Sequence, residues 1–521
     1  MNLLINLLQI SSVTSILTNT VLLAFIPIIL LVCLMGIFKL SGDKSAVLTL
    51  IITVIISFFF FDFSMHDIGV TFYYGVMKAF FPILLIVIMA LFSYNILVHT
   101  QYMEVIKEQF VSISSDRSIQ VLLLTWGFGG LLEGMAGFGT AVAIPAVILI
   151  GLGFSPIFSS VVSLIANSVS TAFGSVGIPV IVLAEQVHIE DIQTLSSQVI
   201  IQLSPLMFII PFILLCLTEF QLKRLPRYIL ISLLVGGVSL VCQFLAAKFM
   251  GAETPAILGS IASIITIILY AKITEKNKKS EIRKNKGIET LKAWSVYGII
   301  LILIIVTSPI LPLESILSPL CATTFTFNIE ANPKSINIYW LTDTAVILFL
   351  GSIIGALIQG AKWKDLVKLL GRVIVSLQKT IITVCSLIVL SSIMDISGMI
   401  GVIGITLAQV TGSLYPLFAP TVGCLGTFLT GSDTSSNILF GSLQTSVAQA
   451  TGADPSWLAA ANTVGATGGK IISPQSIAVA SSACSLQGQE GAIMKKAMPF
   501  ALLYILIVGI MVYTIPLIFT I

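Results

Sequence analysis

The sequence predicts an all-α polytopic membrane protein of about 12–14 transmembrane helices, with two inverted-topology repeats and broken or re-entrant helices in each. Three observations carry this. Fifty-seven percent of the 521 residues are hydrophobic and nine percent are charged, against about 25% charged in an average soluble domain. Apolar runs long enough to cross a bilayer as helices, roughly 20 residues each, recur along the whole chain; residues 21–40, 293–309 and 497–519 are examples. Two long segments break that pattern, 119–184 and 421–488, both charge-poor and rich in Gly, Ser, Thr, Asn and Pro.

Helices are expected in these runs because a helix satisfies its own backbone hydrogen bonds in lipid. The runs are solid, whereas a membrane barrel shows short alternating segments. The net charge of +3 points to no nucleic-acid partner, since the basic residues fall mostly in short loops. The seven cysteines are scattered, there is no CxxC, and only three histidines occur, so neither a disulfide framework nor a zinc site is expected. The first twenty residues contain no Lys or Arg, unlike a cleaved signal peptide.

Basic residues alternate between loops, which orients the spans. Lys39 and Lys44, then Lys107 and Arg117, then Lys223, Arg224 and Arg227 mark one side. The stretch 272–292 is the strongest signal, with seven lysines and Arg283; Lys362, Lys364, Lys368, Arg372, Lys495 and Lys496 complete the set. The intervening loops near 61–68, 188–191, 251–255 and 311–339 carry one Lys between them. All basic loops share the cytoplasmic side if both termini are extracytoplasmic, in a multi-pass protein of the cell membrane.

The two Gly- and Ser-rich segments resemble each other. Asn167 in Ala166-Asn167-Ser168-Val169 lies twelve residues before Pro179, and Asn462 in Ala461-Asn462-Thr463-Val464 lies twelve before Pro474. The charge pattern has the first entered from inside and the second from outside. The expected division is therefore a first repeat at 1–218 (motif region 119–184), connecting helices and a basic loop at 219–292, and a second repeat at 293–521 (motif region 421–488). Inverted repeats of this kind place a binding site at their interface, where broken helices turn backbone N–H groups toward an anion.

Few charges fall inside the predicted membrane region. Between Arg117 and Glu185 there is only Glu133; between Asp395 and Asp454, only Asp433; between Asp454 and Glu490, only Lys470. A charge at mid-bilayer costs at least ~2.5–3.5 kcal/mol on insertion scales, so each calls for a partner or a function. Lys470 sits between Gly468-Gly469 and Ser473-Pro474-Gln475. The glycines permit a break, and Ser473 suits an N-cap with Pro474 at the first helical position. An ammonium beside an open helix start is a carboxylate site; the bland alternative is a lysine snorkelling to the interface. Asp433, among Thr430, Ser432, Thr434, Ser435 and Asn437, can hold a proton or serve only as a helix cap. Glu133 is the second candidate proton site, its alternative being a structural hydrogen bond to a nearby chain break. Asn167 and Asn462 can meet a substrate hydroxyl or satisfy broken-helix carbonyls. Lys78 and Lys379 read as snorkelling lysines, and Asp343 and Asp395 as span-end residues. Gly137-Phe138-Gly139 has no preceding strand and is no nucleotide loop.

These motifs resemble those of the L-lactate permease family. Glu133-Gly134-Met135-Ala136-Gly137-Phe138-Gly139-Thr140 is similar to its EGxAGFGT signature. The stretch from Leu429 through Thr430-Gly431-Ser432-Asp433-Thr434-Ser435-Ser436-Asn437 to Gly441 is similar to its LTGSDTSSNxLFG segment, and Gly469-Lys470-Ile471-Ile472-Ser473-Pro474-Gln475-Ser476 to its GKMISPQS segment. Ala141 stands where the family carries Pro, and Thr467-Gly468 replaces a bulkier pair. The resemblance implies symport of a proton with L-lactate, D-lactate or glycolate. On the reading of the residues themselves, substrate binding is expected from Lys470, Thr434, Ser435, Asn437, Ser473, Gln475, Asn167, Asn462, Gly139 and Thr140, and proton coupling from Asp433 and Glu133. No cofactor or metal is expected. The alternative within transport is a sodium-coupled or other carboxylate carrier. An enzyme would need a catalytic constellation, and none is present in the sequence.

Overall fold

The computed structural model describes residues 20–38, 40–137, 139–274, 287–307, 316–329, 333–486 and 489–518. Lys39, Phe138 and most of the basic stretch (275–286) lie outside the described residues. In chain order the helices are α1 (Thr20–Met35), α2 (Gly42–Phe60), α3 (Met65–Lys78), α4 (Leu85–His99) and α5 (Tyr102–Val111). Next come α6 (Arg117–Val121), a π-helical stretch (Leu122–Phe128), α7 (Gly129–Met135), α8 (Thr140–Gly151), α9 (Pro156–Thr171) and α10 (Gly174–Val187). Then follow α11 (Ile192–Thr218), α12 (Leu225–Met250), α13 (Pro255–Thr274) and α14 (Gly287–Val306). After a β-hairpin, β1 (Ala322–Phe327) and β2 (Lys334–Tyr339), come α15 (Thr344–Ile358), α16 (Trp363–Ser376), α17 (Gln378–Ile396) and α18 (Met399–Thr411). The chain closes with α19 (Tyr415–Thr430), α20 (Asp433–Thr451), α21 (Pro455–Lys470), α22 (Pro474–Ala483) and α23 (Glu490–Ile518).

Among the described residues nine helical segments are long and apolar enough to cross a membrane, ten if the bent pair α9–α10 is one span, and three shorter apolar helices accompany them. Their starts are chemically marked. Asp116, Ser155, Asp191, Asp343 and Asp454 each accept a hydrogen bond from a backbone N–H of the first turn they precede. Pro156 and Pro455 occupy first positions where no N–H is needed.

Two features differ from the sequence reading. The apolar run 373–394 divides: α16 is a separate helix with Leu366, Leu369 and Val373 buried, Lys364, Lys368 and Arg372 on another face and Trp363 and Val367 exposed. That is the pattern of a helix lying in an interface plane, and the span proper begins at Gln378. The segment 311–339, read as a loop, contains the antiparallel pair β1–β2, in register from Ala322 opposite Tyr339 to Phe327 opposite Lys334. Phe327 packs on Tyr73 and Tyr74 of α3.

The helices pack as two groups. In one, α17 lies on α2 and α3, α15 on α4 and α14, and α16 on α4. In the other, α19 and α21 pack closely and α20, α10, α11 and α23 surround them, while α7, α8, α9 and α13 extend the group. Contact between the groups is thinner, through α17 and α4 against α20 and α10.

The second group holds two helical hairpins, which is why the Gly-rich segments are not simple spans. α19 and α20 fold back on each other at Gly431: Tyr415 donates to Gln444, Gln444 to the Ala419 carbonyl, and Ser436 to the Gly423 carbonyl. α7 folds back on α8 around Gly137 and Gly139, both with positive φ. Each hairpin faces a broken helix, α9–α10 or α21–α22. The closest approach is between α19 and α21, where a Cβ on Gly465 would overlap the Pro420 carbonyl and one on Gly423 the Asn462 carbonyl. Gly465→Val is expected to cost at least about 1–3 kcal/mol by overpacking and to lower the unfolding temperature in detergent. Gly371→Ala, with nothing near the added carbon, leaves that temperature unchanged or raises it; equal melting of the two variants would contradict this packing.

Candidate functional site

Four interruptions of helix meet in the second group: the tips of the two hairpins and the breaks in α9–α10 and α21–α22. The break after α9 holds three consecutive residues in the left-handed region, Ser175 (φ 46°), Val176 (φ 59°) and Gly177 (φ 79°). A β-branched residue there is a strained outlier. Surrounding contacts hold the turn in place: Ser175 Oγ donates to the Ala136 carbonyl at 2.9 Å, tying this break to the first hairpin tip. Gly177 lies so close to the Ala252 carbonyl that a Cβ would overlap it.

Lys470 ends α21 and reaches across to the first hairpin, where its Nζ donates to Glu133 Oε1 at 2.8 Å. The Glu133 side chain is 2% exposed and that of Lys470 15%. A Cβ on Gly174 would stand 2.8 Å from Glu133 Oε1, so this glycine admits the carboxylate. Glu133 Oε2 has no hydrogen-bond partner.

Asp433 opens α20 on the second hairpin, with Ser432 as N-cap accepting from the Ser435 N–H. Thr463 donates to Asp433 Oδ1 at 3.2 Å, and Oδ2 is buried without a partner. Behind it runs a chain of amides. Asn437 donates to the Pro179 carbonyl (2.9 Å) and to Thr463 (2.7 Å), and accepts from Asn462 (2.9 Å). Asn462 accepts from Gln444 (3.1 Å). Such a chain fixes the Asn437 rotamer and holds α20, α21 and α10 in register.

A cavity of about 820 Å³ lies between the two helix groups. Its wall on the hairpin side presents Glu133, Gly139, Asp433, Thr434, Ser435, Lys470 and Gln475 from the predicted set, with Thr171, Ser175 and Ser476. The opposite wall is Ile83, just before α4, Val87 of α4, and Thr383 and Val384 of α17. Its mouth lies at Ser41, Asp43 and Lys379, and Lys379 is exposed there. Thr140 closes the first hairpin tip by donating to the Gly137 carbonyl. Asn437 and Asn462 stand behind the cavity wall in the amide chain. Asn167 is buried in α9, donating to Thr171, with its Oδ1 unpaired. Ser473 is the N-cap of α22, its side chain making no cap bond and its Oγ buried without a partner.

Thr463, Gln444 and Ser175 were not singled out from sequence. A signal existed for the first two: polar side chains inside otherwise apolar helices, Thr463 next to Asn462. Nothing local marks Ser175, whose role depends on a contact across 39 positions.

The two acids and the lysine form a compact charged set. An arriving carboxylate would have to compete with Glu133 for Lys470. The first turns of α20 and α22 border the cavity at Thr434, Ser435, Gln475 and Ser476 and offer N–H groups and positive helix ends to an anion.

A model of the L-lactate permease family matches residues 20–519. An L-lactate permease of Streptococcus iniae is 39% identical over 443 residues, covering 84% of this chain and 93% of that one. An L-lactate permease of Bacillus subtilis (strain 168) is 31% identical over 540 residues, and the glycolate permease GlcA of Escherichia coli (strain K12) 30% over 531, each covering 94% of both chains. Among solved structures, the Alcanivorax borkumensis YdaH transporter aligns with a TM-score of 0.47 at 13% identity, over 84% of this chain and 86% of that one. With the family's model matched from end to end of the described helices, this multi-pass membrane protein belongs to the L-lactate permease family.

Proposed function

We propose that the chain is a secondary carrier that couples movement of L-lactate, or a related 2-hydroxy monocarboxylate such as D-lactate or glycolate, across the membrane to that of a proton. The observation that carries this reading is the Glu133–Lys470 pair on the cavity wall, with Asp433 beside it. Lys470 is the cation on the hairpin-side wall, and Glu133 already occupies it. Protonation of Glu133 releases the ammonium, and the substrate carboxylate takes the vacated place. The site's charge is the same before and after, so one proton accompanies one monocarboxylate. A buried site tolerates that exchange, whereas adding an unpaired anion would cost several kcal/mol.

In this mechanism the carboxylate is held by Lys470 and by the N–H groups at the starts of α20 and α22, near Thr434, Ser435, Ser473 and Gln475. The 2-hydroxyl meets Thr or Ser hydroxyls of the same wall. Asp433, whose Oδ2 has no partner, is the second proton-accepting group. Gly139 lets the first hairpin tip approach the substrate, and Asn437, Asn462 and Asn167 position the helix breaks. The two hairpin-plus-broken-helix units, 119–184 and 421–488, are read as an inverted pair. With both termini extracytoplasmic, the cavity mouth at Lys379 faces the cytoplasm.

The deciding experiment is uptake of labelled L-lactate by proteoliposomes under an inward proton gradient without sodium. Accumulation that a protonophore collapses is expected; accumulation only under a sodium gradient would overturn proton coupling. Lys470→Gln is expected to lower the transport rate at subsaturating lactate by about 10- to 100-fold, the worth of a charged hydrogen bond of roughly 1.5–3 kcal/mol. Glu133→Gln keeps lactate–lactate exchange but loses acceleration by the proton gradient. Full gradient-driven accumulation in both Glu133→Gln and Asp433→Asn would remove these acids from coupling.

A further inference from the structure

A second buried polar cluster lies between the two helix groups, away from the cavity. Lys78 ends α3 where the chain turns into a π-helical stretch (Ala79–Leu84) with Phe81 out of helical geometry. This lysine does not snorkel: it is 7% exposed. Its Nζ donates to the Glu185 carbonyl at 3.2 Å and to Gln186 Oε1 at 3.3 Å, both on α10. The amide nitrogen of Gln186 donates onward to Ser391 of α17 at 2.7 Å and to Ser442 of α20 at 3.3 Å. The carboxylates of Glu185 and Asp395 supply the nearby negative charge.

Position gives the cluster its meaning. Lys379 stands at the cavity mouth, and Ser391 lies twelve residues further along the same helix, about 18 Å at 1.5 Å per residue. The cavity lining reaches Val384 on α17, Ile83 before α4 and Pro179 on α10, and includes no residue of the cluster. Lys78 and Ser391 belong to one helix group, Gln186 and Ser442 to the other. Beyond the cluster, the β-hairpin is joined to the end of α10 by Lys334 and His188, 3.0 Å apart. A carrier must open to each side in turn, and the hydrogen bonds of Lys78 and Gln186 tie the two groups together away from the mouth at Lys379.

Resting on the carrier reading above, we propose that Lys78, Gln186 and Ser391 form the outer gate, closed here while the inner mouth is open. The gate joins two bodies that separate in each cycle, whereas Gln186 and Ser442 stay within one body. The test replaces the seven native cysteines and introduces Gln186→Cys with Ser391→Cys, or Gln186→Cys with Ser442→Cys, bridging each pair with mercuric ion. Lactate uptake is expected to stop when the 186–391 pair is bridged, to return when a dithiol strips the metal, and to continue when the 186–442 pair is bridged. Uptake through a bridged 186–391 pair, or arrest by both bridges, would overturn the gate. A second readout needs no substrate. A single Gln475→Cys is labelled from outside by an impermeant thiol reagent, and adding Lys78→Gln is expected to raise the labelling rate several-fold. An unchanged rate overturns the gate even if lactate proves not to be the substrate, and unmetallated protein that fails to move lactate while the labelling rises overturns only the lactate reading.

Discussion

The Lys470–Glu133 pair is the contact on which this architecture turns. A lysine and a glutamate buried in an apolar bundle are tolerated because they meet each other, and removing either leaves an uncompensated charge at a cost of roughly 3–5 kcal/mol. They can meet only because α21 stops at Lys470 and the first hairpin turns just past Glu133. Both interruptions strip backbone groups of their helical partners, and those groups border a polar cavity and not lipid. The pair and the broken helices therefore justify one another: the breaks bring the charges together, and the charged cavity gives the freed N–H groups something to face.

The scaffolding around the pair follows from that requirement. Glycines stand where backbone must approach closely, Gly174 against Glu133 and Gly465 against Pro420. The amide chain from Gln444 through Asn462 and Asn437 to Thr463, with Asn437 also donating to the Pro179 carbonyl of α10, holds three helices in fixed relation beside Asp433. A rigid second group set against a largely aliphatic wall from the first suits a carrier. Glu133, Asp433 and Lys470 stay on one body, and the facing wall from the first group is Ile83, Val87, Thr383 and Val384, with Asp43 and Lys379 only at the mouth. Away from the cavity, Lys78 and Gln186 add a polar contact between the two groups.

Much of the site was legible in the chain. Glu133, Asp433 and Lys470 stand out because each is alone in a long uncharged segment, and in lipid an isolated charge needs a reason. Ser473-Pro474 marks the start of α22, with Pro474 at its first position, although the Ser473 side chain makes no cap bond. The Asn–Pro spacing shared by the two Gly-rich segments pointed to a matched pair of breaks. What was misread was misread for lack of a partner. Lys78 looked like an interfacial lysine because its acceptors on α10 lie more than a hundred positions away. The run 373–394 looked like one span because hydrophobicity alone does not separate the end of an interfacial helix from the start of the next.

The sequence by itself determined the membrane setting, the helical class, the family and the three charges at the centre, because each follows from composition, spacing or a local motif. Only the tertiary structure decided which carboxylate pairs with Lys470, that the hairpin tips and helix breaks converge on one cavity, and that Lys78 is buried between two bodies. Those facts depend on contacts between residues far apart in the chain, for which no local signal in a sequence exists.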